Sequence, residues 1–215
     1  MGIFNNLFDI DSKDNYAVTG LNKELNSLYI YNYFIKNKKN NLVITNSLYE
    51  ANDVYNRLLN NTNKVLFFPM DDFITSEVTD ISPEFVIDRL TTLNKLLGSG
   101  KYIVVTNLMG ILRYLPNTKL YKNKIIDINK DMDIDRDDFI NKLFDLGYEK
   151  KPVVSRTGEM AIRGYVIDIF PIEFDNPIRI EFWGDTIDSI KYFDLDDQIS
   201  NTSIDNSSVY NYETK

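Results

Sequence analysis

The apolar rhythm of this chain changes once, near Pro116, and the two rhythms call for different architectures. From Tyr16 to Leu115 short apolar runs alternate with stretches of helical period, the pattern of a parallel sheet joined by crossover helices. Strands are expected at Tyr16 to Thr19, Leu42 to Thr45, Val65 to Phe68 and Tyr102 to Thr106. Ser47 with Glu50 three residues on forms a capping box, and Ala51, Val54 and Leu58 follow at helical spacing. A second helix opens at Ser82, Pro83 and Glu84, carries the stripe Val86, Leu90, Leu93 and Leu97, and stops at Gly98.

Beyond the polar segment Asn117 to Lys124 the order of elements is different. It predicts a strand at Ile125 to Ile128, then a helix from about Asp137 to Leu146 with Gly147 as terminator. Strands follow at Met160 to Phe170, Ile178 to Trp183 and Ile187 to Phe193. Runs of strand with short turns imply a small α+β domain with a largely antiparallel sheet. The expected organisation is a nucleotide-binding-like α/β domain over 1–120, the α+β domain over 121–200, and a polar tail, or the start of a further segment, over 201–215.

Two absences limit the chemistry: the chain has no Cys and no His. Thiol nucleophiles, Cys/His zinc sites and histidine bases are excluded. A formal charge of -8 argues against a broad phosphate-binding surface. No apolar run approaches the roughly 20 residues of a membrane span, and the opening residues lack the pattern of a signal peptide, so a cytoplasmic protein with no membrane partner is expected.

Gly20 to Ser27 has the length of a phosphate-binding loop, GxxxxGK[ST], between an expected strand and an expected helix. Leu25 stands where the second glycine would admit the phosphates, and Asn26 where a lysine would reach them. Ser27 alone does not retain a magnesium nucleotide, Lys23 reads as a solvated loop residue, and Tyr102 to Thr106 carries no magnesium-binding acid. A P-loop fold, of the RecA/helicase kind, without its nucleotide site is therefore expected, with no cofactor in this chain. Asp127, Asn129, Asp131, Asp133, Asp135 and Asp138 fit the spacing of a calcium loop, but Met132 replaces its turn glycine and Asp138 its bidentate Glu. A strand running into an acidic helix start explains them better, and no metal site is expected.

In Ile178 to Trp183 the period of two puts Ile178, Ile180 and Phe182 on one face and Arg179, Glu181 and Trp183 on the other. Arginine and tryptophan dominate binding hot spots. Either this second face is a recognition surface, or Trp183 is covered and Arg179 pairs with Glu181 or another acid. Gly164 allows a bulge that would re-aim Arg163.

The stretches GEMAIRGYVIDIFP (Gly158 to Pro171) and PIRIEFWGDTIDSIKYFD (Pro177 to Asp194), followed by Gln198 and Ser200, resemble the N-terminal, UvrB-like module of the bacterial transcription-repair coupling factors, the Mfd family. FFPMDDF (Phe67 to Phe73), SPEFVIDRLTTLNKL (Ser82 to Leu96) and FDLGYEK (Phe144 to Lys150) support the likeness, which covers most of Tyr16 to Ser200. The resemblance implies a non-catalytic module that binds UvrA and recruits it to lesion-stalled RNA polymerase in nucleotide excision repair. It places the contact on Arg163, Arg179 and Trp183, the last more usually Phe in the family. It further implies a longer protein: an ATP- and magnesium-dependent DNA translocase motor, a polymerase-binding domain, and a C-terminal domain that masks the UvrA surface. The alternative is a UvrB-like nucleotide-dependent DNA repair enzyme, against which Leu25 and Asn26 count.

Overall fold

The computed structural model describes residues 17–72, 82–112, 115, 117–122, 124–172, 174–210 and 212, and divides into two units, 1–115 and 116–215.

In the first unit the helices start where side chains supply caps. Asn22 accepts from the Leu25 amide at the head of α1 (Lys23–Asn37), and Ser47 accepts from the Glu50 amide at the head of α2 (Leu48–Leu59). Glu50 reaches back to the Asn46 amide rather than that of Ser47, one residue beyond the expected box. Helix α3 (Pro83–Leu97) begins on the first-turn proline, with Ser82 preceding it but making no side-chain cap. The strands β1 (Asn41–Thr45), β2 (Val65–Phe68) and β3 (Ile103–Asn107) form a parallel sheet in the order β1-β3-β2, and the short α4 (Leu108–Ile111) follows β3. Phe34, Ala51, Leu58, Val65, Ile103 and Val105 make a core between this sheet and helices α1 and α2, while Leu93 and Leu96 of α3 pack on Leu66, Phe68 and Val104.

The strand expected at Tyr16 to Thr19 is not there: Tyr16 lies outside the described residues, residues 17–19 have no regular structure, and Val18 is exposed. Three apolar-leaning residues that find no neighbouring strand have no ladder to join. Gly20 makes a bend at φ +81°, and α1 starts three residues later.

The second unit opens with α5 (Thr118–Lys122), β4 (Ile126–Asn129) and α6 (Arg136–Asp145). Asp135 caps α6 by accepting from the Asp138 amide at 2.8 Å, and Gly147 stops it at φ +88°, a left-handed conformation glycine adopts at no steric cost. Then come β5 (Glu149–Lys150), β6 (Glu159–Arg163), β7 (Val166–Ile169), β8 (Ile178–Trp183), β9 (Thr186–Phe193), β10 (Ser200–Ile204) and β11 (Asn206–Val209). Strands β5 to β10 form one sheet in sequential order, antiparallel except for β5-β6, and β11 pairs antiparallel with β4.

Two expectations change here. Met160 to Phe170 is a hairpin, not one strand: Arg163 pairs with Val166 across Gly164 and Tyr165, and Gly164, at φ +58°, reverses the chain instead of bulging it. Apolar residues on both sides of that turn hid the reversal. The residues expected as a polar tail form β10 and β11, and Val209 is fully buried.

Candidate protein-binding face

The antiparallel sheet has one apolar and one charged face, as a period of two requires. Ile167, Ile169, Ile178, Ile180, Phe182, Ile187 and Ile190 are buried with Phe139 and Leu143 of α6. On the other face the register aligns Ala161, Asp168, Arg179 and Lys191 across β6, β7, β8 and β9.

Asp168 is fully buried, and a carboxylate there requires charged partners. Arg179 grips it with two parallel bonds, Nε to Oδ1 at 2.8 Å and Nη2 to Oδ2 at 3.0 Å, the strong fork geometry. Its remaining nitrogen donates to the Gln198 carbonyl at 3.1 Å and to Ser200 Oγ at 3.3 Å, and the guanidinium lies 4.7 Å from the centre of the Phe193 ring. The Asp168 hydrogen bonds raise the Arg179 pKa further above its ordinary value, so the cation is permanent. Arg163 donates to the same carboxylate from β6. The two arginines differ in access: the Arg179 side chain is 15% exposed and that of Arg163 45%. Glu181 pairs with Lys191 at 2.7 Å and accepts from Ser189; these bonds, the lysine's first, hold its pKa below the usual carboxylate range.

Trp183 ends β8 on this face and is 83% exposed. The structure thus unites Arg163 and Arg179 on one carboxylate and leaves Trp183 uncovered at the end of the same sheet. Of the two readings the residues permitted, an acid does pair with Arg179, but it is Asp168 rather than Glu181. Asp168 was not singled out, though one acid inside the apolar run Val166 to Phe170 is the mark of a buried, paired charge.

The phosphate-loop segment enters its helix early, with Lys23 as the first residue of α1. Leu25, Asn26 and Ser27 lie within α1, and Ser27 Oγ, nearly buried, donates to the Lys23 carbonyl at 3.1 Å. A hollow of about 440 Å³ adjoins Lys23, Asn26, Ser47 and Arg57, but Lys23 and Arg57 both bind Asp53 at 3.0 Å. At the carboxyl ends of the strands, where open α/β sheets bind ligands, both Asp72 oxygens accept from the Leu48 amide at 2.9 Å, and Asn107 donates to Asp72 at 2.7 Å. A protein carboxylate therefore occupies the anion position at the start of α2. The acids of the calcium frame are dispersed: Asp127 accepts from Ser208, Asp133 from Thr186, and Asp135 caps α6. Among the described residues no three His, Cys, Asp or Glu side chains cluster to hold a metal, and no helix is long and apolar enough to cross a membrane.

Residues 126–214 match the UvrB interaction domain family, which takes in β4 through β11 and so the whole charged face. A transcription-repair-coupling factor of Staphylococcus haemolyticus is 35% identical over 208 residues, 96% of this chain and 18% of the relative. The chain resembles the UvrB-like module of the transcription-repair coupling factors. Proteins of the same name from Staphylococcus epidermidis and Staphylococcus aureus are 34% and 33% identical over 94% of the chain. The chain spans under a fifth of the length of these coupling factors.

Proposed function

We propose that the chain is a non-catalytic protein-binding module of a transcription-repair coupling factor, and that its charged sheet face binds UvrA to bring it to RNA polymerase stalled at a lesion. The observation that carries this reading is an exposed tryptophan at the end of a sheet face where two arginines share one buried carboxylate. Arg163 and Trp183 make the contact, and Arg179 holds the face beneath them. Long-range attraction between Arg163 and acids on UvrA gives an association rate that falls with salt.

In the whole protein, ATP, magnesium, DNA and polymerase are engaged by other domains, and a C-terminal domain competes for this face. The engaged cations and the helical Leu25 to Ser27 support a first unit that takes no nucleotide. Magnesium ATP is accordingly expected to leave the thermal melt unmoved, and a clear upward shift would return the nucleotide-dependent enzyme.

Calorimetry of purified UvrA with the chain tests the recruitment reading. Wild type should bind, and Trp183→Ala and Arg163→Ala should each weaken binding, the tryptophan variant by roughly 2 kcal/mol or more. Absence of wild-type binding would overturn it.

A further inference from the structure

Strand register fixes which side chains share the charged face beside Trp183. Arg163 lies opposite Val166, and Val166 opposite Glu181, so these three cross β6, β7 and β8 in one row. Alternation along β8 keeps Glu181 and Trp183 on that face, with Ile180 and Phe182 buried on the other. Val166 and Trp183 are thereby diagonal neighbours on adjacent strands, about 7–8 Å apart, a gap that an aromatic side chain spans. Val166 is the apolar member of a row that otherwise holds an arginine and a glutamate.

The core does not account for this valine. Ile167 and Ile169 of β7 are fully buried among the aliphatic side chains, whereas Val166 is only half-buried and packs on none of the buried apolar clusters among the described residues. Its backbone is held at the end of the β6-β7 hairpin: the Phe182 amide donates to the Tyr165 carbonyl at 2.9 Å, and Arg136 Nη2 donates to the Gly164 carbonyl at 2.5 Å. A β-branched side chain on a pinned strand has little rotamer freedom to lose on association. Charge on either side orients whatever covers it. Arg163 is 45% exposed and shares Asp168 with Arg179, while Glu181 is already engaged by Lys191 and Ser189. A surface that fits has an apolar side chain over Val166 and a carboxylate on the side toward β6.

We propose that Val166 is a further contact residue of the partner-binding face, an apolar seat between Arg163 and Trp183 that receives an apolar side chain of the partner protein beside its acids. The inference rests on the UvrA reading above and names the apolar part of the same site.

The test measures affinity and association rate of the chain with purified UvrA at several salt concentrations. Val166→Thr keeps the β-branched shape and the strand preference and exchanges one methyl for a hydroxyl, so folding is retained, as a thermal melt verifies. A hydroxyl buried against an apolar side chain with no partner should raise the dissociation constant about fivefold or more, with Val166→Ile close to wild type. Because no charge changes, the salt dependence of association should stay as in wild type, whereas Arg163→Ala should flatten it. Val18→Thr, which alters an exposed valine of the first unit, should change nothing. If Val166→Thr binds as wild type while Trp183→Ala is weakened, the Val166 contact is wrong and the UvrA reading survives. If Val166→Thr flattens the salt dependence, the valine acts through Arg163 and the contact is again wrong. If wild type does not bind UvrA, both fall.

Discussion

Asp168 and its two arginines form a single electrostatic unit in which the members are not equivalent. Arg179 makes four bonds and is nearly buried, whereas Arg163 makes one and is half exposed. Removing a buried partner leaves an uncompensated charge, which costs about 3–5 kcal/mol, while an exposed ion pair contributes about 1 kcal/mol or less. Arg179→Ala should therefore lower the urea midpoint much further than Arg163→Ala, and Asp168→Ala should resemble Arg179→Ala. Equal effects of the two arginine variants would contradict this division. A second residue-scale consequence concerns Asp88 on α3. Burial, with Glu84 one turn earlier adding repulsion, pushes its carboxyl up to about 6. A carboxyl raised above its unfolded value is more protonated in the folded chain, so its stabilising contribution is full below pH 4 and disappears as pH rises through 6. Asp88→Asn should remove that decline, making the variant the more stable at pH 8 by about 1 kcal/mol once solvent screening is allowed for. Urea titrations at pH 5 and pH 8 provide the comparison.

At the scale of elements, legibility follows how local the signal is. Ser47, Asp135 and Gly147 act within one turn of their helices, so capping and termination could be read directly. The strand pattern of Ile178 to Trp183 was equally plain, because one face is aliphatic and the other charged. The Gly164 turn was not, since a glycine between apolar residues signals a bulge or a reversal alike, and only pairing with a neighbour decides. For the same reason the face could be predicted and its wiring could not: Asp168 meets Arg179 through cross-strand register. Gly110 in α4 is another case of distant causes. A Cβ there would lie 2.2 Å from Thr106 Oγ1 and 2.9 Å from the Phe68 carbonyl oxygen, and that hydroxyl donates to that carbonyl at 2.6 Å. Gly110→Ala must displace buried backbone or break the bond, so a loss of roughly 2 kcal/mol is expected in thermal or urea unfolding. A neutral result would mean that α4 shifts freely away from β3.

Over the whole molecule, sequence order and spatial order part company in the second unit, where the last strand returns to pair with the first. β11 is the strand partner of β4, with Val209 opposite Ile126 and Ser207 opposite Ile128. The chain then continues so that the Tyr212 amide donates to the Leu146 carbonyl at 2.7 Å and Tyr148 Oη to the Tyr210 carbonyl at 3.2 Å. None of this is visible in a run such as Ser200 to Tyr210, because β10 has most of its side chains toward water and β11 places Ser207 where an apolar residue would have marked an inward position. Deleting 200–215 therefore removes two structural strands, β10 from the edge beside β9 and β11 from beside β4, not a solvated extension. Fully burying one valine is worth about 1.5–3 kcal/mol, to which the β4 ladder adds. The measurement is hydrogen exchange by segment. Amides of β4 and of the Leu146–Tyr148 corner should lose protection in the truncated chain, while β1, β2 and β3 keep theirs, since their sheet closes within residues 41–107. Retained protection of β4 would show that the α6 core alone holds it, and β11 would then be dispensable to the unit that bears the charged face.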